Sequence, residues 1–265
     1  ATNDSPPQNN IDDENVFDFS HQPHPKGISS LKKPIPLSVQ ELDFTHNNLP
    51  NIEALSSYTN LQVLCLRQNA IKKVEGVETL TNLVELDLYM NELTEVEGIA
   101  TLTRLQTLDF SYNAIKTIAP PIFDHHGSLK KLYLTQNRIS AVAPATFQKL
   151  KNLRVLELGA NRLRKIENLS GLENLEELWL GKNKISVIEG LETLTSLKRL
   201  DIQSNRITRL ENLDKLVALE ELYLAHNGIE RIEGLEKLTS LNCIDLSSNR
   251  ITRLENLNKL VALEE

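Results

Sequence analysis

Residues 175–194 read Leu-Glu-Glu-Leu-Trp-Leu-Gly-Lys-Asn-Lys-Ile-Ser-Val-Ile-Glu-Gly-Leu-Glu-Thr-Leu, and much of the chain repeats this pattern. The same apolar offsets surround an asparagine in ten successive copies, spaced by 22 residues except for two intervals of 24. These asparagines are Asn47, Asn69, Asn91, Asn113, Asn137, Asn161, Asn183, Asn205, Asn227 and Asn249. Such a period predicts a solenoid whose neighbouring copies share one continuous core.

The segment before each asparagine alternates leucines with variable residues, as in residues 177–181. Alternation with period two predicts a short β-strand with its two leucines facing the core and three positions facing outward. Parallel pairing of these strands would bury the leucines of all copies together. The asparagine is interpreted as structural, because its amide can bond backbone groups beyond the strand and stack into a ladder between copies.

A second signature, Ile-Glu-Gly or Ile-Glu-Asn with apolar variants, follows the asparagine in seven copies, for example at residues 188–190 and 166–168. Glycine or asparagine suits a tight bend there. A 22-residue copy is too short for a full helix beside its strand, so a 3₁₀ or single helical turn is predicted. The two 24-residue copies instead carry Pro120-Pro121-Ile122-Phe123 and Pro144-Ala145-Thr146-Phe147, and their extra residues are expected on the side opposite the strands.

The repeated motif L-x-x-L-x-L-x-x-N resembles that of leucine-rich repeat proteins. The regular 22-residue unit and stretches such as residues 180–185, 203–206 and 221–230 are similar to the subclass that includes regulatory subunits of protein phosphatase 1. The resemblance implies an α/β solenoid of about ten repeats, an arc with a concave parallel sheet and short 3₁₀ or helical turns on its convex side. Residues 1–36 are predicted to be a flexible acidic tail, and residues 37–265 are predicted to be the solenoid, with its C-terminal cap missing.

Composition disfavours several classes of function. No apolar run is long enough to span a membrane, and the first residues have no secretory-signal pattern. A net charge of −7 disfavours binding to nucleic acid or anionic membranes. The two cysteines, Cys65 and Cys243, are too few for a disulfide scaffold, which favours a reducing compartment. His21, His24, His125 and His126 are interpreted as exposed loop residues, and no enzyme activity, metal or cofactor is predicted.

The outward strand positions predict a protein-binding surface. Thirty such positions, six, four and two residues before each asparagine, hold ten acidic and three basic residues. The large rings Tyr133, Trp179 and Tyr223 lie among them, and rings surrounded by complementary charge are typical of protein interfaces. The predicted partner-binding residues are Asp87, Tyr89, Asp109, Lys131, Tyr133, Glu157, Glu177, Trp179, Arg199, Asp201, Glu221, Tyr223, Cys243 and Asp245.

The resemblance further implies a partner. Regulatory subunits of this kind bind the catalytic subunit of protein phosphatase 1 on the concave face, in the nucleus and cytoplasm, and a further phosphatase inhibitor is a possible third partner. The matching positions here are Asp109, Tyr133, Glu157 and Trp179. Two alternatives stay open: a scaffold of the same subclass with a dynein- or tubulin-related partner, and a fragment of an extracellular leucine-rich repeat receptor.

Overall fold

Eleven three-residue strands form one parallel sheet in the computed structural model, which describes residues 15–22, 27–30 and 34–264. The strands follow one another in chain order without a crossover. They are β1 (Val16–Asp18), β2 (Glu41–Asp43), β3 (Val63–Cys65), β4 (Glu85–Asp87), β5 (Thr107–Asp109), β6 (Lys131–Tyr133), β7 (Val155–Glu157), β8 (Glu177–Trp179), β9 (Arg199–Asp201), β10 (Glu221–Tyr223) and β11 (Cys243–Asp245).

Every strand pairs with its neighbours in the same register. Leu108, the middle residue of β5, lies opposite Leu86 and Leu132 and is fully buried, and most other middle residues are equally buried. The first and third residues of each strand therefore lie on the opposite, solvent-facing side. The predicted parallel β-solenoid is confirmed, and residues at equivalent repeat positions stand side by side in straight columns.

The predicted asparagine ladder is present. The Asn161 side chain donates through Nδ2 to the carbonyl oxygens of Leu134 (2.9 Å) and Leu158 (3.1 Å). Its Oδ1 accepts a hydrogen bond from the backbone N–H of Ile139 at 3.0 Å. Leu134 and Ile139 belong to the preceding repeat, so one amide joins two consecutive turns of the solenoid. Equivalent bonds recur at Asn69, Asn183 and the other ladder positions.

The convex side is built from β-turns. In one repeat, the backbone N–H of Leu80 donates to Val77 O at 2.9 Å, and that of Leu83 donates to Leu80 O at 3.0 Å. Among the described residues the single helix is a 3₁₀ helix at Ile28–Ser30, before the second strand. The predicted 3₁₀ or helical turns on the convex side are therefore not found. Separate β-turns reverse the chain there, within the space that a 22-residue repeat allows.

The glycine or asparagine at the predicted tight bend adopts the left-handed conformation, with φ of 70° at Gly190 and 60° at Asn212. The preceding repeat passes very close here. A Cβ atom on Gly190 would lie 2.6 Å from the carbonyl oxygen of Ile166. At the equivalent position of the next repeat, the Asn212 side chain bonds the neighbouring backbone instead, because its Nδ2 donates to the equivalent carbonyl oxygen, that of Ile188, at 2.7 Å.

The two 24-residue repeats leave the sheet register unchanged, because Asp109, Tyr133 and Glu157 remain direct neighbours on β5, β6 and β7. As predicted, the additional residues lie outside the strands. They bring Phe123 and Phe147 into the core, with ring centroids 6.0 Å apart.

His126, in the first of these long repeats, is fully buried, and the prediction that it is an exposed loop residue is wrong. Its ring meets Phe123 edge to face, and Nε2 lies 3.0 Å from the carbonyl oxygen of Ile99. His126 occupies the turn position that buried Leu80 holds in an earlier repeat, because its backbone N–H donates to Phe123 O at 3.1 Å and its carbonyl accepts from Leu129 N–H at 3.0 Å.

Strand β1 is a further copy of the repeat that the asparagine period did not reveal. It pairs with β2 in the common register, and Phe19 stacks on Phe44 with centroids 5.3 Å apart. His21 has a φ of 57°, matching 58° at the equivalent His46. Residues 16–18 of the predicted tail therefore form a repeat strand. Residues 1–14, 23–26 and 31–33 of that tail lie outside the described residues.

Replacing a ladder asparagine tests the main inter-repeat connection. We expect Asn161→Ala to lower the free energy of unfolding by about 2–4 kcal/mol. The substitution leaves the Ile139 N–H and the carbonyl oxygens that accept from the Asn161 amide buried without that partner. Asn174→Ala is the matched control, since that exposed asparagine makes one side-chain bond, to Lys151 O. Urea denaturation measures both, and equal losses would contradict the ladder's role.

Burial of His126 predicts a pH-dependent stability. Burial lowers the pKa of its imidazole, so the unfolded chain, with a pKa near 6.5, binds the proton more tightly than the folded protein. The stability contributed by the neutral ring is complete above that value and declines as the pH falls below it. In urea denaturation, the free energy of unfolding of His126→Gln should fall less between pH 7.5 and 5.5 than that of the unsubstituted protein. His125→Gln is the control, and the same pH slope in both variants would contradict this assignment.

Candidate protein-binding surface

The register gathers the predicted partner-binding residues onto the outward face of the sheet. Thirteen of the fourteen are first or third residues of strands β4 to β11, and Tyr89 follows two residues after β4. The third residues form one uninterrupted column. From β4 to β11 this central column contains Asp87, Asp109, Tyr133, Glu157, Trp179, Asp201, Tyr223 and Asp245. The structure brings these residues together, and their contact with a partner remains a prediction.

The aspartates of the central column also have a local structural role. Oδ1 of Asp109 accepts a hydrogen bond from the backbone N–H of Ser111 at 2.7 Å. Asp87 and Asp245 make the same bond to the residue two positions later, at 2.9 and 2.8 Å. Such bonds hold the backbone where each strand ends. The predominance of acidic residues on this face therefore has a structural cause in addition to any role in binding.

The middle of the column carries carboxylates that form no ion pair. Within the described part of the chain, neither Asp109 nor Glu157 has a cation within 4.0 Å, and the Glu157 carboxylate accepts a hydrogen bond from Thr135 Oγ1 at 3.1 Å. Burial raises the pKa of both carboxyl groups, and the charge of Asp109 adds to the shift at Glu157. Tyr133 lies between them, and burial followed by the neighbouring carboxylates raises the pKa of its hydroxyl. A cationic surface brought here would relieve this repulsion.

Trp179 and Tyr223 lie further along the same column, after Glu157, and both rings are half-buried. Their polar atoms are already bonded to the chain, since Trp179 Nε1 donates to Glu177 Oε2 at 3.2 Å and the Tyr223 hydroxyl donates to Glu221 Oε2 at 2.7 Å. Half-buried rings with satisfied polar atoms lose little hydrogen bonding when a partner covers them.

Asp201 lies between those two rings, and little of it is open to the contact with a partner that the sequence predicts. The residue is only 4% exposed. Its carboxylate accepts hydrogen bonds from the backbone N–H of Gln203 at 2.8 Å and from the side-chain amide of Gln203 at 2.9 Å. Gln203 folds onto the carboxylate, and the large residues in register on either side enclose it.

A shallow depression of about 290 Å³ lies beside this part of the column. Its wall includes Glu157 and Trp179, and it is open because the position two residues before the ladder asparagine is glycine in two adjacent repeats, Gly159 and Gly181. A Cβ atom at Gly181 would lie 3.1 Å from Asp201 Oδ1, so this glycine permits the close approach of the carboxylate.

A second aromatic cluster, which the sequence did not predict, lies at the edge of the face. Arg67 pairs with Asp87 at 2.9 Å, and its guanidinium carbon lies 4.3 Å from the centroid of the Tyr89 ring. Tyr112 is 43% exposed and packs against Tyr89 with centroids 4.9 Å apart. The position of Arg67, two residues before a ladder asparagine, placed it on this face. Tyr112 directly precedes its asparagine, a position outside the three columns considered.

The cysteines of the sheet are free, as predicted. Burial raises the pKa of the Cys65 thiol to about 11, so this residue is an uncharged thiol at neutral pH and a poor nucleophile. Residues 15–22, 27–30 and 34–264 contain no group of three or more histidine, cysteine, aspartate or glutamate side chains that could hold a metal ion. No helix in the described part of the chain is long and apolar enough to cross a membrane.

Comparison with family models identifies the class of protein. The model for leucine-rich repeats in two copies matches residues 59–101, 173–215 and 217–264, and a second leucine-rich repeat model matches residues 81–139 and 127–185. The chain belongs to the leucine-rich repeat family. Neither model describes a catalytic domain, and the repeats form scaffolds for protein interactions. Comparison with curated proteins gives no match.

Solved structures with the same fold come from several kinds of protein. A leucine-rich repeat protein of Leptospira interrogans is 27% identical with a TM-score of 0.70, over 86% of this chain and 66% of that protein. Internalin C2 of Listeria monocytogenes is 29% identical with a TM-score of 0.63, over 69% of this chain and 80% of its own. TLR13, solved in complex with ssRNA13, is 26% identical with a TM-score of 0.72, over 78% of this chain and 32% of the receptor.

The electrostatic interaction between the carboxylates of Asp109 and Glu157 can be tested directly. We expect Asp109→Asn to lower the pKa of Glu157, because the charge at Asp109 contributes to the elevated value. Carbon-13 NMR of the side-chain carboxyl groups measures the titration midpoint. Asp43→Asn, which removes a similar carboxylate three strands before Asp109, is the control. An unchanged Glu157 midpoint in the Asp109 variant would contradict the arrangement of the column.

Proposed function

We propose that this chain is a non-catalytic scaffold that binds the catalytic subunit of protein phosphatase 1 on its concave face and thereby controls the enzyme's activity, maturation or localisation. The observation that carries the binding proposal is the central column, where unpaired carboxylates alternate with half-buried rings in strict register. Asp109, Tyr133, Glu157 and Trp179 are the proposed centre of contact.

The physical basis is complementarity of charge around aromatic anchors. Asp109 and Glu157 would attract a basic surface and accelerate the encounter, and the attraction would weaken as salt is added. Tyr133 and Trp179 would supply the apolar contact area that holds the complex once it has formed. A curved sheet presents these side chains along a line, which suits a large rigid partner better than a small ligand.

The choice of partner rests on the sequence. The regular 22-residue unit and the stretches at residues 180–185, 203–206 and 221–230 resemble one member of the subclass, regulatory subunit 7 of protein phosphatase 1. The same resemblance leads us to propose a nuclear and cytoplasmic location and a third partner that inhibits the phosphatase. TLR13 and the internalins share the fold, but their partners are not proposed for this chain, because the motif stretches point to the phosphatase subclass.

Titration of the purified phosphatase catalytic subunit with the purified chain tests this proposal. We expect Trp179→Ala, and separately the pair Asp109→Lys and Glu157→Lys, each to weaken binding by about 1–3 kcal/mol, as loss of an interface hot spot does. Isothermal titration calorimetry at two salt concentrations measures the affinity and its charge dependence.

The matched control for the charge reversal is the pair Glu95→Lys and Glu192→Lys, two exposed residues outside the strands. This pair changes the net charge equally and should leave the affinity nearly unchanged. If the phosphatase does not bind the unsubstituted chain, the proposed partner is wrong. If it binds and both pairs weaken it equally, the attraction is a general charge effect and the concave face is not the contact surface.

A further inference from the structure

Five side chains on three adjacent strands form a connected polar network on the concave face, and Arg199 on β9 is its centre. The guanidinium donates two hydrogen bonds to the Glu221 carboxylate on β10, from Nε at 2.6 Å and from Nη2 at 2.5 Å. On the opposite side, Nη1 lies 3.5 Å from Oε2 of Glu177 on β8. One cation thus connects the carboxylates of the two flanking strands.

Each of these carboxylates also holds a ring. Glu177 Oε2, which faces Arg199, accepts the indole N–H of Trp179, and Glu221 Oε2, which accepts the Arg199 Nε hydrogen bond, also accepts the Tyr223 hydroxyl. The guanidinium carbon lies 5.4 Å from the centroid of the Trp179 ring, within the range of a cation–π contact. The two largest rings of this part of the surface are therefore tied to a single arginine.

Strand geometry explains why one arginine serves both rings. Residues two apart on a strand share a face, so Glu177 lies beside Trp179 and Glu221 lies beside Tyr223. The register sets Arg199 directly between the two glutamates. The hydrogen bonds from Arg199 hold the pKa of the Glu221 carboxyl below its usual range, so this acceptor stays charged at neutral pH. The bond to that carboxylate raises the pKa of Tyr223, which keeps its hydroxyl protonated as a donor.

We infer that Arg199 is a positioning residue, which orients Trp179 and Tyr223 through Glu177 and Glu221 before a partner arrives. This inference rests on the proposed function and changes the predicted role of Arg199 from direct contact to preorganisation. A side chain that is ordered in the free protein loses less conformational freedom on binding, so the affinity gains without an added contact. Loss of Arg199 should weaken phosphatase binding by about tenfold.

Trp179 is the only tryptophan of the chain, so its fluorescence reports the positioning in the free protein without any partner. We expect Arg199→Gln to release the indole, giving faster decay of fluorescence anisotropy and stronger quenching by acrylamide. Arg199→Lys keeps the charge and loses the two-pronged bond to Glu221, and it should give an intermediate result. Arg209→Gln is the matched control, since it removes an exposed arginine that pairs with Glu233 outside the strands. Unchanged anisotropy in Arg199→Gln would overturn the inference.

A thermodynamic mutant cycle then separates positioning from direct contact. If Arg199 acts through the two rings, the tenfold loss seen with Arg199→Gln should shrink to about twofold or less in a chain that already carries Trp179→Ala and Tyr223→Ala. A full tenfold loss in both backgrounds would mean that Arg199 contacts the phosphatase itself, and would overturn the inference. If the anisotropy changes but the phosphatase binds no form of the chain, ring positioning is supported and the proposed partner fails.

Discussion

The amide of the ladder asparagine is the interaction on which the rest of this structure depends. Where the chain leaves each strand, backbone N–H and C=O groups are buried without partners in the sheet. Asn161 satisfies the Ile139 N–H and the Leu134 carbonyl of the preceding repeat together with the Leu158 carbonyl of its own. Because the same bonds recur in successive repeats, each repeat must stack on its neighbour at one fixed height. The register of the sheet follows from this constraint.

That register creates the functional surface. Side chains that are 22 or 24 residues apart in the sequence become direct neighbours, so short-range chemistry operates between distant parts of the chain. The central column places Tyr133 between the carboxylates of Asp109 and Glu157, and the parallel column of first strand residues places Arg199 between Glu177 and Glu221. The first arrangement concentrates unpaired charge, and the second neutralises charge while holding two rings. The concave face therefore contains an open acidic stretch beside an ordered aromatic one.

Much of the fold was predictable because the same sequence pattern recurs in many copies. The strand positions, their inward leucines, the ladder and the left-handed bend at Gly190 all follow from single-repeat patterns. The errors arose where a copy departs from the rule. Strand β1 lies in a copy with Gln22 in place of the asparagine, although its Asp18-Phe19-Ser20-His21 stretch resembles Asp43-Phe44-Thr45-His46. His126 lies in an enlarged repeat at the position that Leu150 holds in the other one, so an imidazole occupies a buried leucine position.

The sequence by itself determined which residues face outward, since alternation along a strand depends only on local geometry. It therefore identified the columns, their acidic character and their rings. The tertiary structure alone decided what those residues do to one another. Asp201 proved to be enclosed, Arg67 proved to stack on Tyr89, and Arg199 proved to link two carboxylates and two rings. Hydrogen bonds, ring stacking and burial act over a few ångströms, and only the stacking of whole repeats brings those groups within that distance.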